Sequence, residues 1–343
     1  MRKSKRICMT IGFLLSVTLS VTLGLMNCGG GGGGGDGGGT GPVSEFGAYN
    51  FTAANMETAA SIAANTTGFW PPFSQITFGM MEQLQTSPTP TAGQPHDLGM
   101  CVSGTGTFAW TDKDLGNTLS EGDAVAMNFS NCDVGSQTEH EYLNGTVNLL
   151  FTTVLSGPTT TFAADVTINV TSQSTDTVGF SGAFHISVVI MNGDNVTFNY
   201  TPGTQNGVIT AKVNGTTAYE LGCFNANHTF NMLTPMQNNY LYMLEPSTVI
   251  KTSNKIMSLM PAGYMGFREG TPDEYADFFG SQLISLSIPE CPALGVPNGV
   301  GDSDGNYIKW FAPTLGGDEV TLELYDKNNT LMHTINTNWG ALY

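Results

Sequence analysis

The chain has 343 residues, and its formal charge is −17 because 28 acidic residues outnumber 11 basic ones. Such an acidic surface repels nucleic acid and anionic lipid headgroups, so a nucleic-acid-binding function is excluded from our expectations. The length is sufficient for one large domain or two ordinary domains, each with an apolar core.

The first 28 residues are typical of an export signal. The cationic start is followed by residues 7–26, which carry no charge. A permanent membrane-spanning helix is the alternative, because about 20 apolar residues span a bilayer. The order of Leu25, Met26, Asn27 and Cys28 resembles the signal of bacterial lipoproteins, although Asn27 stands where a smaller residue is usual. The resemblance implies a signal peptide over residues 1–27 and lipidation of Cys28.

The same resemblance implies a cellular location. The residue after Cys28 is Gly29 and not aspartate, which in a Gram-negative cell implies the outer membrane, on its periplasmic or surface side. Two or more acyl chains would hold the protein there stably. Residues 28–42 are mostly glycine and are predicted to form a flexible tether. They do not fit a phosphate-binding loop, because no strand precedes them and no Lys-Ser/Thr pair follows. With the four basic residues of the leader removed, the charge falls to −21.

Residues 43–98 are predicted to contain two helices. The first has an apolar stripe at helical spacing, made of Met56, Ala59, Ala60, Ala63 and Ala64. Thr52 is placed to cap its start. Pro71 and Pro72 open the second helix, whose apolar stripe is Phe73, Ile76, Met80 and Leu84. These stripes favour packing against a sheet, and the alternative is that they close an apolar pocket.

Residues 99–343 are predicted to form a β domain. Apolar and polar residues alternate most clearly from Phe162 to Thr171 and from Phe180 to Ile190, as in half-buried antiparallel strands. The alternation is lost over about residues 250–300, which predicts an irregular insert. The fold class is therefore mainly β, an antiparallel meander sheet that is curved, sandwiched or closed into a partly open barrel, with the N-terminal helices packed on it.

The four cysteines after the leader, Cys101, Cys132, Cys223 and Cys291, are expected to form disulfides in an oxidising compartment. Pairing Trp110 with Asp123 in an antiparallel hairpin would bring Cys101 opposite Cys132. That register predicts the bridges Cys101–Cys132 and Cys223–Cys291. Pairing of Cys101 with Cys223 or with Cys291 remains open and would imply another strand order.

Patterns that could carry chemistry are few, and no cofactor is expected. Residues 301–305 match the Gly-x-Ser-x-Gly pattern of hydrolases, but they lie in a predicted turn with aspartates beside Ser303. The same turn offers Asp302, Asp304 and Asn306 as oxygen ligands for Ca²⁺. A second acidic turn has the same potential and contains Asp112, Asp114, Asn117 and Asp123. A plain solvated turn is the favoured interpretation of both, so no metal site is predicted. The histidines, His96, His140, His185, His228 and His333, are scattered and are expected at the surface.

A broader resemblance rests on structural motifs, namely Leu119-Ser120-x-Gly122-Asp123, Phe129-x-x-Cys132, Leu143-x-Gly145-Thr146-Val147 and Trp339-x-x-Leu342. Together they resemble a group of uncharacterised β-rich lipoproteins of Gram-negative bacteria. This resemblance implies fold and address but no catalytic residue. We therefore expect a binding or envelope-structural lipoprotein whose partner is an apolar ligand or an envelope protein. A hydrolase that uses loop carboxylates is the alternative.

Overall fold

The computed structural model describes residues 47–85, 91–135, 140–155, 159–191, 195–204, 206–231, 242–253, 255–261, 265–267, 281–285, 288–297, 305–311 and 319–342. The predicted signal peptide, Cys28 and the predicted glycine tether therefore lie outside the described residues, and the predictions made for them are not tested. Within the described ranges, no helix is both long enough and apolar enough to cross a membrane.

The described helices are α1 (Met56–Thr67), α2 (Trp70–Gln85) and the short α3 (Trp339–Leu342). The alanine stripe of α1 is fully buried, which explains why the helix forms where those residues recur every three to four positions. Asn55 is the N-cap residue of α1, so the prediction that Thr52 caps the helix is wrong. The Asn55 side chain instead accepts a hydrogen bond from the backbone N–H of Thr52 at 2.8 Å and so shapes the turn before the helix.

The described strands form one sheet. In chain order they are β1 (Gly47–Ala48), β2 (His96–Asp97), β3 (Ser103–Thr111), β4 (Ala124–Asp133), β5 (Tyr142–Leu155), β6 (Thr159–Gln173), β7 (Thr177–Met191), β8 (Asn195–Thr201), β9 (Ile209–Val213), β10 (Thr216–Asn231), β11 (Tyr242–Lys251), β12 (Lys255–Pro261), β13 (Met265–Phe267), β14 (Ser281–Ser285), β15 (Tyr307–Phe311), β16 (Glu319–Tyr325) and β17 (Leu331–Asn338).

Most of the described pairings join strands that follow each other in the chain, and all are antiparallel except that β1 pairs with β12 in parallel. Strands β8 and β9 lie end to end. β8 pairs with one half of β7 and one half of β10, whereas β9 pairs with the other half of each. The chain makes a corner between them, of which residues 202–204 and 206–208 are described. Gly182 fits this corner because a Cβ at that position would lie 2.0 Å from the carbonyl oxygen of Val208.

The helices cover one face of the sheet. α1 contacts β11, β14, β15 and β16, and α2 contacts β10. The Trp70 ring centroid lies 4.6 Å from that of Tyr200 on β8 and 5.3 Å from that of Phe224 on β10, and Phe73 lies 5.0 Å from Phe184 on β7. Aromatic side chains therefore occupy the space between helix and sheet. The mainly β fold with packed N-terminal helices is confirmed.

The prediction of an irregular insert at about residues 250–300 is wrong for the parts of that segment that the structure describes. β12, β13 and β14 lie there and pair into the sheet. Their alternation is missing because β12 is covered on both faces, so that four consecutive residues from Ile256 to Leu259 are buried. The second face is covered by a small cluster that includes Ile256, Ile288, Leu294 and Val296. The short helix suggested for residues 269–279 lies outside the described residues.

Both predicted disulfides are present, Cys101–Cys132 with its Cα atoms 5.0 Å apart and Cys223–Cys291 with its Cα atoms 5.7 Å apart. The hairpin register on which the first was argued is wrong by two residues, because Trp110 pairs with Val125 and not with Asp123. A bulge in β4 at Asn131, which is in the left-handed region at φ 44°, shifts the register by one further residue, so that Ser103 pairs with Asp133 and Cys132 does not lie directly opposite Cys101. Cys101 precedes β3 and reaches Cys132 across Gly106, where a Cβ would lie 2.8 Å from the Cys101 sulfur.

Candidate functional site

An open groove crosses the sheet on the face opposite the helices. Its floor contains two rows of residues that are paired across strands β4 to β7. One row is Ala126, Asn148, Thr167 and Ala183, and the other is Ala124, Leu150 and Asp165, which His185 extends beyond the groove. These residues alternate along their strands with the buried Val125, Leu149, Val166 and Phe184, so they point away from the core.

The groove has a volume of about 330 Å³ and opens to solvent. The groove is formed where the rows end in alanine, because the alanine methyl groups are smaller than the side chains on the neighbouring strands. Thr111 borders one end, and Pro202, Gly203 and Thr204 at the corner between β8 and β9 border the other. The backbone of Gly203 lies close to β7, since a Cβ at this position would lie 3.0 Å from the Cβ of His185.

The chemistry of the groove is that of a mixed contact surface. Leu150 is 49% exposed and gives it an apolar centre. Asn148 and Thr167 supply uncharged hydrogen-bonding groups, and Asp165 accepts a hydrogen bond from His185 with Oδ1 and Nδ1 2.8 Å apart. Asp165 is the one charged residue among the described residues that line the groove, and the others are uncharged, so the groove favours a largely neutral ligand surface over a strongly charged one.

A second polar cluster lies between α2 and the sheet. His228 on β10 has its Nδ1 2.7 Å from Ser74 Oγ, and Ser74 also contacts the Tyr200 hydroxyl and the Trp70 carbonyl oxygen, the latter at 3.0 Å. All donors are satisfied when the Nδ1–H of a neutral His228 and the Tyr200 hydroxyl donate to Ser74 Oγ while Ser74 donates to Trp70. Burial accordingly lowers the pKa of His228 to about 3.

The pairing of serine and histidine in this cluster is structural and not nucleophilic. Ser74, Tyr200 and His228 are each fully buried, so a substrate cannot approach the hydroxyl. The serine proton is directed to a backbone carbonyl and not to the imidazole, whereas an activated serine gives its proton to its base. The expectation that His228 lies at the surface is wrong. It is in phase with the buried Phe224 and Ala226 on the same strand, and this period of two was visible in the sequence.

Two carboxylates come together near the end of β4. Asp133 and Glu141 are only 2% and 4% exposed. Burial raises the pKa of Glu141 to about 7, although the Ser172 hydroxyl donates to its carboxylate and opposes the shift; the nearby Asp133 charge adds to it. His140 Nδ1 lies 2.7 Å from Asp133 Oδ2, and its hydrogen bond helps to keep the pKa of Asp133 low in spite of desolvation. Among the described residues both carboxyl groups are buried, whereas glycoside hydrolysis needs two carboxyl groups that a substrate can reach.

The other candidate residues are divided between described and undescribed parts of the chain. Asp302, Ser303 and Asp304 lie outside the described residues, so the Ca²⁺ ligands suggested there are not tested. Asn306 is described, and its amide nitrogen donates to the carbonyl oxygen of Phe51 at 2.9 Å. That bond fastens β15 to the segment before α1. The second acidic turn is described in full, and its three aspartates do lie together.

Comparisons with models of protein families, with curated proteins and with solved structures found no match to this chain. The geometry of the described residues therefore carries the functional conclusions.

Proposed function

We propose that this protein is a lipid-anchored module of the cell envelope that binds a neutral partner surface through the groove on its exposed sheet face. The anchor is the lipidated Cys28, and outer-membrane placement follows from Gly29 beside it. The observation that carries the binding role is the open groove over β4 to β7, which joins an exposed leucine to uncharged hydrogen-bonding groups.

A partner surface fits better than an enclosed apolar ligand. The space between the helices and the sheet, where such a ligand would lie, is occupied by Trp70, Phe73, Phe184 and Tyr200. The groove on the other face is open and shallow, which suits an extended segment or a flat patch of another envelope component. The two disulfides support a location in the cell envelope, because disulfides persist in oxidising compartments.

Replacement of the lipidated residue tests the anchor. Cys28→Ser removes the thiol that would carry the acyl chains, and we expect the variant to leave the membrane fraction for the soluble fraction. Fractionation followed by mass spectrometry of the N-terminal peptide measures this. A Cys101→Ser and Cys132→Ser variant is the control, because it also loses cysteines but keeps the anchor. A Cys28→Ser protein that stays in the membrane with its leader uncleaved would show that residues 7–26 are a permanent helix.

Filling the groove tests the binding role. Ala126→Tyr places a large ring on the groove floor, whereas Asn128→Tyr places the same ring on the same strand and face beyond the groove. After gentle extraction from the native membrane, native mass spectrometry is expected to show a component retained by the wild type and by Asn128→Tyr but lost from Ala126→Tyr. Equal retention by both variants would place the binding surface elsewhere.

A further inference from the structure

We propose that the hairpin loop between β3 and β4, residues 112–123, is a Ca²⁺-binding site formed by Asp112, Asp114 and Asp123. One oxygen from each carboxylate lies within 4.8 Å of the other two. Protein oxygens bind Ca²⁺ at about 2.3 to 2.6 Å, so two ligands on opposite sides of one ion are about 5 Å apart at most. The three oxygens therefore fit around a single ion.

A buried oxygen without a partner points to a cation in this cluster. Asp112 is 8% exposed, and its Oδ1 is buried and makes no hydrogen bond. Its Oδ2 accepts the backbone N–H of Asn117 at 2.7 Å. An unpaired buried carboxylate oxygen is costly, and an oxygen of Asp114 and one of Asp123 lie within 4.8 Å of an oxygen of Asp112. Carboxylates this close repel each other unless a proton or a cation lies between them.

The backbone of the loop holds the carboxylates in place. Asp123 is fully buried, and its two oxygens accept the N–H groups of Lys113 and Ser120, both at 2.8 Å. The backbone N–H of Gly116 donates to Asp114 at 2.9 Å. A carboxylate has about four acceptor positions, so one N–H on each oxygen leaves room for a metal bond. The ligands are thus oriented before an ion arrives.

The spacing agrees with a known type of calcium loop. The loop has 12 positions, and its aspartates occupy the first, third and twelfth, which are ligand positions in an EF-hand loop. The sixth position, where that loop needs a left-handed residue, is Asn117 at φ 56°. The fifth position is Gly116, which supplies no side-chain ligand, and the twelfth is aspartate in place of glutamate. Both differences predict weak binding, in the range of about 10⁻⁴ to 10⁻³ M that extracellular calcium modules show.

The surrounding charges also favour a cation. Glu121 lies in the same loop and is exposed, and Lys113 is the loop's basic residue. The Lys113 ammonium lies next to Gly122, where a Cβ would be 2.5 Å from its nitrogen. The loop keeps a net negative charge after Lys113 is counted. It is also joined to the groove, since Thr111 and Ala124 flank it on either side and line the groove. A bound ion would fix that end of the groove, but the site itself does not depend on the proposed binding role.

Titration of the metal-free protein with CaCl₂ tests the site by calorimetry and by thermal unfolding. We expect one ion per chain, a dissociation constant of about 10⁻⁴ to 10⁻³ M, and a rise of several degrees in the melting temperature at 10 mM Ca²⁺. Asp112→Asn and Asp114→Asn should each weaken binding at least tenfold. Asp326→Asn is the matched control, because Asp326 also accepts backbone N–H groups in an exposed hairpin turn, at 2.8 Å from Asn328 and from Thr330.

The melting temperatures of the wild type and of Asp112→Asn, compared in EDTA and in Ca²⁺, distinguish a metal site from a plain acidic turn. In EDTA, Asp112→Asn is expected to melt above the wild type, because its amide can donate to the Asp114 carboxylate where two acceptors otherwise meet. In 10 mM Ca²⁺ the wild type should instead melt above Asp112→Asn. Circular dichroism in EDTA is the test that each variant is folded. No change in the wild type at 10 mM Ca²⁺, equal binding by Asp112→Asn, or preference for Mg²⁺ over Ca²⁺ would each overturn the proposal.

Discussion

The free energy of unfolding is expected to fall by about 4 kcal/mol through His228 alone as the pH drops from 6.5 to 3. Burial lowers the pKa of this histidine from 6.5 to about 3. The unfolded chain therefore binds a proton in this window while the folded protein does not. Protonation would also require a charged ring between α2 and the sheet, where its hydrogen-bond partner is Ser74.

Replacement by asparagine removes this titration and keeps the hydrogen bond. The amide nitrogen of His228→Asn can take the place of Nδ1 and donate to Ser74. We expect the variant to be less stable at neutral pH, because the smaller side chain leaves a cavity, but to lose far less stability on acidification. Urea unfolding at several pH values measures both effects. His333→Asn is the control, because His333 is exposed on β17. Parallel pH profiles for the wild type and His228→Asn would contradict the prediction.

Glu141 is expected to oppose His228 over part of the same range. Burial raises its pKa from 4.5 to about 7, so the folded protein holds a proton there that the unfolded chain has released. The resulting stability, about 3 kcal/mol, is complete below pH 4.5 and is lost as the pH rises through 7. Between pH 4.5 and 6.5 the two groups nearly cancel in the wild type. Glu141→Gln should therefore show the steeper loss on acidification that His228 causes.

The strands were predictable where one face is buried and the other is solvated. β6 and β7 follow the alternation of apolar and polar residues because the helices and the core cover only one of their faces. β12 was missed because both of its faces are buried, which removes the alternation. The register of β3 and β4 was missed because the prediction placed Cys101 directly opposite Cys132, whereas Cys101 precedes β3 and the disulfide joins residues that are not paired in the ladder.

The groove could not be predicted from the sequence. Its floor depends on the alignment of Ala126 on β4 with Ala183 on β7, and that alignment is fixed only when the registers of the intervening strands are known. Small residues such as these also have no chemical signature. The acidic loop was predictable as a set of residues, because its aspartates are close in sequence. What the sequence lacked was the burial of Asp112 and Asp123, which depends on how the hairpin packs.

Loss of the Cys223–Cys291 disulfide is expected to lower the free energy of unfolding by about 4 kcal/mol, because it releases a loop with a sequence separation of 68. The bridge fastens residues 288–297 to β10 at a bulge, where Cys223 is in the left-handed region at φ 49°. The small cluster under this segment includes Ile288, Leu294 and Val296. So few apolar side chains bury little area, and the segment depends on the covalent link.

The paired variant Cys223→Ala and Cys291→Ala tests this against Cys101→Ala and Cys132→Ala, whose loop has a sequence separation of 31. The chain-entropy estimate gives the two pairs similar global losses, about 4 and about 3.5 kcal/mol. Their local effects should differ. Amides in residues 288–297 are expected to exchange much faster in the first variant only, because the Cys101–Cys132 bridge joins strands that stay paired through the β3, β4 and β5 ladder. A first variant that loses less than about 1 kcal/mol, or that keeps slow exchange at Val296, would show that the apolar cluster and not the disulfide holds this segment to the sheet.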